Sequence, residues 1–88
     1  MKSYLTEDFI TCFGNLPDTI KQRARKNYKL WKKDNSHPSL RFKRVHTKEA
    51  IYSVRVGTWR ALGLMGDNVI TWFWIGTHAD YDKLLSQL

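Results

Sequence analysis

The segment Val69-Ile70-Thr71-Trp72-Phe73-Trp74-Ile75 is apolar at every position but one and rich in β-branched and aromatic residues. Its seven residues are few for a helix, and Gly66-Asp67-Asn68 before it and Gly76 after it act as boundaries. A strand of this composition cannot turn either face to water or serve as an open edge without inviting aggregation. The run therefore predicts an interior strand of a sheet, with helices packed on one side and Gly76 as its stop. Gly66-Asp67-Asn68 supplies the hairpin turn from a preceding strand, Trp59 to Met65.

Upstream, Ile51-Tyr52-Ser53-Val54-Arg55-Val56 alternates. Tyr52, Val54 and Val56 share one face, and Ser53 and Arg55 share the other. Leu40-Arg41-Phe42-Lys43 repeats the alternation with basic residues and predicts one more strand, in which Arg41 and Lys43 share a face. Asp34 to Ser39 is turn-rich, and Pro38 holds His37 out of helical geometry.

The N-terminal third has helical spacing. Thr6 caps a first helix carrying Phe9, Ile10, Phe13 and Leu16, with Glu7 and Asp8 in the first turn and Gly14-Asn15 as the stop. Pro17-Asp18 opens a longer helix reaching about Asp34. Ile20, Ala24, Tyr28 and Trp31 form its apolar stripe, and Lys21, Arg25, Lys29 and Lys33 recur on another face. Thr77 caps a short terminal helix through Asp80, with Tyr81, Leu84, Leu85 and Leu88 at helical spacing. The predicted fold class is α+β: an N-terminal helical pair packed on a mostly antiparallel four-stranded sheet, with a short C-terminal helix. MKSYL contributes no strand to it. Eighty-eight residues predict one domain, 1–88.

Lys and Arg number 15 against 8 Asp and Glu, a formal charge of +7. That excess favours a polyanionic partner, with nucleic acid first. No apolar run approaches the roughly 18 residues of a membrane span, and the first residues lack a long apolar signal region. A soluble, cytoplasmic protein without a membrane partner is expected. Cys12 is the only cysteine, which excludes an internal disulfide and a thiol zinc cluster. Its neighbours Phe9, Ile10 and Phe13 predict a buried, inert thiol.

The succession NLPDTIKQRARKNYKLWKKD, HPSLRFKRV, YSVRVGTWRAL and WFWIGTHADYDKLL resembles the RelE/ParE superfamily of toxins from bacterial type II toxin–antitoxin systems. The resemblance implies a RelE/ParE-like fold and a cognate antitoxin as partner. It also implies that ribonuclease members cut mRNA on the translating ribosome with neither metal nor cofactor. In that chemistry the ribose 2′-hydroxyl attacks the adjacent phosphate and expels the 5′-oxygen, so a base, an acid and cations are required.

Residue by residue, the resemblance makes Arg60 of GTWRAL the phosphate stabiliser and Arg55 of YSVRVG a second cation. His78 of GTH becomes the general acid or base, and Tyr81 becomes an aid that orients phosphate or base. Arg41, Lys43 and His46 would border the RNA, and Lys21, Arg25 and Lys29 of the basic helix would steer toward it. Lysine-rich members carry lysine where this chain has Ser53, so Arg41 or Lys43 would have to replace that cation. Two alternatives stay open: a ParE-like, non-nuclease toxin that inhibits DNA gyrase, and an inactive RNA-binding member.

Overall fold

A computed structural model describes all 88 residues. Strand β1 (Lys2–Leu5) leads into helices α1 (Glu7–Gly14) and α2 (Asp18–Lys33). After a short 3₁₀ turn, Pro38–Leu40, come β2 (Lys43–Arg44), β3 (Ile51–Val56), β4 (Trp59–Gly66), β5 (Val69–Thr77) and helix α3 (His78–Gln87). The spatial order is β1-β5-β4-β3-β2, with β1 parallel to β5 and the other pairs antiparallel. Local signals act where the sequence places them. Thr6 Oγ1 accepts from the Phe9 amide at 3.1 Å, and Thr77 Oγ1 from the Asp80 amide at 3.1 Å. Asp67 and Asn68 adopt φ of 48° and 61°, the left-handed pair of a type I′ hairpin turn.

The apolar run is an interior strand, flanked by β1 and β4. Its alternation is interrupted: Leu62 pairs with Trp74 but Gly63 pairs with Trp72, so β5 carries a bulge at Phe73. Trp72 and Ile75 thereby join one core cluster with Trp31, Leu40, Val54, Val56, Ala61 and Ile70, beneath α1 and α2. Phe73 and Trp74 pack with Ile51, Leu62 and Tyr81 in a second cluster. The bulge brings Gly63 against bulky neighbours. A Cβ there would lie 2.7 Å from Ile70 Cγ1 and 2.8 Å from Trp72 Cε3. Gly63→Ala is expected to cost about 1–3 kcal/mol, read as a lower urea midpoint at unchanged slope.

Four expectations are corrected. The sheet has five strands, because Lys2–Leu5 pairs with Val69–Trp72 as a parallel edge. This strand is short, and its partner lies more than sixty residues away, so no local turn announces it. Helices cover both sheet faces: Ile51 and Leu62 point away from α1 and α2, and Tyr81 of α3 buries them. Leu40-Arg41-Phe42-Lys43 is not a continuous strand. His37 Nδ1 accepts from the Ser39 amide at 3.2 Å, a 3₁₀ turn forms, Leu40 is fully buried and Arg41 sits at a left-handed φ of 46°. Arg41 therefore stands off the sheet instead of sharing a face with Lys43. Finally, β5 continues through Gly76 to Thr77. Cys12 is half-buried against the larger core cluster.

Candidate functional site

The β3–β4 hairpin positions the arginines. Arg55 and Arg60 are direct cross-strand partners, so their side chains leave the same face of the sheet, opposite to Val54 and Ala61. Like charges at such a pair repel, yet both guanidiniums turn toward the hairpin. Arg55 Nε donates to the Gly57 carbonyl at 3.2 Å, and Arg60 Nη1 donates to the same oxygen at 3.1 Å and to the Trp59 carbonyl at 2.8 Å. Both residues are partly buried, and neither is within ion-pair distance of a carboxylate. Two cations fixed side by side without a counter-charge form an anion-binding arrangement.

Register extends the arrangement along this face. Arg60 pairs with Gly76 of β5, two residues before His78. His78 is the first residue of α3, exposed, and its Nδ1 lies 3.0 Å from Asp82 Oδ2 one turn on. Asp82 Oδ2 accepts a hydrogen bond from the Nδ1–H, an arrangement that turns Nε2 outward as the nitrogen available for proton exchange. The His78 ring meets the Tyr81 ring edge-on at 5.7 Å. Tyr81 itself is buried against Ile51 and Leu62, where it anchors the helix that carries His78. The next row of the face is Lys43, Ser53, Leu62 and Trp74. Lys43 is exposed there, while Ser53 is buried.

Sequence reasoning missed Trp74 at this site. A Cβ on Gly76 would strike Trp74 Cζ2 at 2.5 Å, so the indole lies over Gly76, directly beside the row of Arg55 and Arg60. A half-buried aromatic next to guanidiniums suits stacking of a base beside a bound phosphate. Gly76, two residues after Trp74 and so on the same face of the strand, was the available signal, because a large ring needs a neighbour without a side chain to lie flat on the sheet.

The remaining candidates stand apart. His46 organises the β2–β3 loop: Nδ1 accepts from the amides of Lys48 at 3.3 Å and Glu49 at 2.9 Å, and Nε2 donates to the Leu88 backbone oxygen at 3.2 Å. Both ring nitrogens are thus occupied. Arg41 is exposed in the turn after Leu40. Lys21, Arg25 and Lys29 lie along α2, with Lys21 4.0 Å from Asp18 and the Arg25 guanidinium 5.2 Å from the Phe13 ring centre. Asp34 caps the far end of that helix region. The Ser36 side chain, donating to its carboxylate at 2.7 Å, holds Asp34 below the ordinary carboxylate range.

Comparison with known proteins bears on this arrangement. A family model described as a ParE-like toxin domain matches residues 18–83. Three solved structures share the fold at low sequence identity. The RelB–RelE antitoxin–toxin complex from Methanococcus jannaschii contains a chain that superposes with a TM-score of 0.75 at 16% identity, over 92% of this chain and 96% of that one. For the archaeal RelE–RelB complex from Pyrococcus horikoshii OT3 the TM-score is 0.69 at 14% identity, over 86% and 92%. The toxin–antitoxin complex RelBE2 from Mycobacterium tuberculosis gives 0.64 at 18% identity, over 86% and 95%. No curated protein matches the sequence significantly.

Proposed function

Since this chain belongs to the ParE-like toxin domain family of the RelE/ParE superfamily, we propose that it is a cytoplasmic, metal-independent endoribonuclease that cuts mRNA on translating ribosomes and is neutralised by a cognate antitoxin. The observation that carries the reading is the cross-strand pair Arg55 and Arg60, both bonded to the Gly57 carbonyl and without an acidic partner, in register with the strand that leads into His78.

The chemistry follows from these groups. His78 Nε2 takes the proton of a ribose 2′-hydroxyl as its oxygen attacks the adjacent phosphorus. Negative charge grows on the non-bridging oxygens, where the Arg60 and Arg55 guanidiniums stabilise it by charge-assisted hydrogen bonds. The bond from phosphorus to the 5′-oxygen breaks, that oxygen takes a proton from a water molecule, and the His78 imidazolium then gives up its proton to solvent. The products are a 2′,3′-cyclic phosphate and a 5′-hydroxyl. Tyr81 acts here by seating α3, and Lys43 stands where it meets a flanking phosphate. The presence of RelB-type antitoxins in the three similar complexes supports an antitoxin as partner.

The test is cleavage of mRNA by the purified protein on programmed ribosomes, mapped by primer extension. Wild type is expected to cut, and Arg60→Ala to cut about 10²-fold more slowly with its unfolding midpoint kept. The family description and the serine at position 53, where a further cation is absent, favour a second reading: a ParE-like toxin that poisons DNA gyrase through protein contacts. Intact mRNA together with gyrase–DNA complexes converted to cleaved DNA would establish that alternative and refute the nuclease.

A further inference from the structure

Arg23 lies on a different stripe of α2 from Lys21, Arg25 and Lys29, on the flank that meets the end of β3. One turn further along, Asn27 Nδ2 donates to the Arg55 carbonyl at 3.0 Å and fixes the helix against that strand end. Arg23 then folds over the hairpin. A Cβ on Gly57 would lie 3.2 Å from its Nη1, 3.4 Å from its Cδ and 3.5 Å from its Cζ. Gly57 is also the residue whose carbonyl receives Arg55 and Arg60. Three guanidiniums, from α2, β3 and β4, therefore gather at one residue. Arg23 is exposed and, like the other two, has no carboxylate within ion-pair distance. Repulsion among three such groups is not offset within the protein, and an anion on the hairpin would relieve it.

We propose that Arg23 completes a binding track for the backbone of single-stranded RNA: Arg55 and Arg60 hold one phosphate, and Arg23 holds its neighbour where the strand crosses the Gly57 hairpin onto α2. The assignment of RNA as the occupant rests on the ribonuclease reading. The guanidinium cluster itself rests on geometry alone. Arg23 approaches Gly57 on the side a Cβ would occupy, so it extends the site beyond the reach of the two strand arginines and gives it a direction. An Arg suits this place better than a Lys because its planar fork binds two phosphate oxygens at once.

The experiment uses a fluorescent 2′-O-methyl RNA oligonucleotide, which binds without being cut, and follows anisotropy across a potassium chloride series. Arg23→Gln is expected to weaken binding about five- to tenfold and to make the slope of log K against log salt shallower by about 0.7, one phosphate contact on a single strand. Arg23→Lys should fall between Arg23→Gln and wild type, and Lys2→Gln, on the far edge strand, should match wild type. In parallel, inorganic phosphate is titrated while the Arg23 Nε–H resonance is observed by NMR. An Arg23→Gln protein that keeps its unfolding midpoint and binds RNA with wild-type affinity and salt slope overturns the proposal and leaves the ribonuclease reading standing. RNA that fails to bind wild type while phosphate still shifts the Arg23 signal supports the guanidinium site and sinks the RNA reading. If neither RNA nor phosphate registers at Arg23, the site itself is refuted.

Discussion

His78→Ala is expected to slow mRNA cleavage on programmed ribosomes by about 10²- to 10⁴-fold, the range supplied by a positioned acid or base, while RNA binding and the unfolding midpoint stay near wild type. His78 is exposed at the first turn of α3, and its only polar contact is Asp82 Oδ2 at 3.0 Å. Little folding stability is lost with it, so a lost rate reports on chemistry. Asp82→Asn separates positioning from general damage. It keeps shape but offers an amide that no longer selects the Nδ1–H tautomer, and a drop of about tenfold in kcat with KM unchanged is the expected signature. Wild-type cleavage by His78→Ala would remove the imidazole from the mechanism and leave the arginine pair as an electrostatic binding site.

Trp31→Ala is expected to destabilise the protein by about 3–5 kcal/mol, most of what a domain of this size has in reserve. Trp31 is 3% exposed and is the central ring of the larger core, edge-on to Phe42 at 5.6 Å and to Trp72 at 5.5 Å and stacked on Tyr28 at 6.2 Å. It is also the point at which α2 is tied to β5 and to the segment before β2. An apolar cleft of about 390 Å³, open to solvent, already lies between α1, α2 and the sheet, lined by Phe13, Ala24, Tyr28 and Trp72 among others, so removing Trp31 deepens a space that is already unfilled. Equilibrium urea unfolding checks the value. Trp31→Phe is the informative companion, because the buried indole N–H has no acceptor. Phenylalanine keeps the aromatic contacts and removes an unsatisfied donor, and it should recover most of the loss. Equal losses in the two variants would show that the indole's full volume, not its place in the aromatic cluster, holds α2 down.

Much of the fold was legible because its causes are local. Thr6, Thr77 and Asp67-Asn68 act through hydrogen bonds and backbone preferences spanning two or three residues, and each appears where the sequence puts it. The alternation in Ile51–Val56 holds along its whole length, which is why Ser53 and Arg55 were assigned correctly to the face opposite Val54. Legibility failed where partners are distant. The strand Lys2–Leu5 is exposed and short, and only the free edge of β5 makes it a strand. Leu40 looked like the start of an alternating strand, but the pull of a fully buried site and the turn begun by His37 and Pro38 decided its conformation instead.

The candidate site divides along the same line. Arg55, Arg60 and His78 were placed on neighbouring strands and a helix start by their motifs, and strand pairing set the arginines opposite each other. Neither Arg23 nor Trp74 was visible in this way. Arg23 reaches Gly57 only because Asn27 and Trp31 dock α2 at one particular angle, and Trp74 shares the face of Arg55 and Arg60 only because a bulge at Phe73 shifts the phase of β5.

By itself the sequence determined element types, turn positions, the charge excess and which residues of β3 share a face, all properties carried by near neighbours along the chain. Tertiary structure alone decided that the sheet gains a parallel fifth strand, that α3 covers the second face, and that three guanidiniums meet at one glycine. Those outcomes depend on how separate segments fill space against each other, and no residue's local preference encodes that.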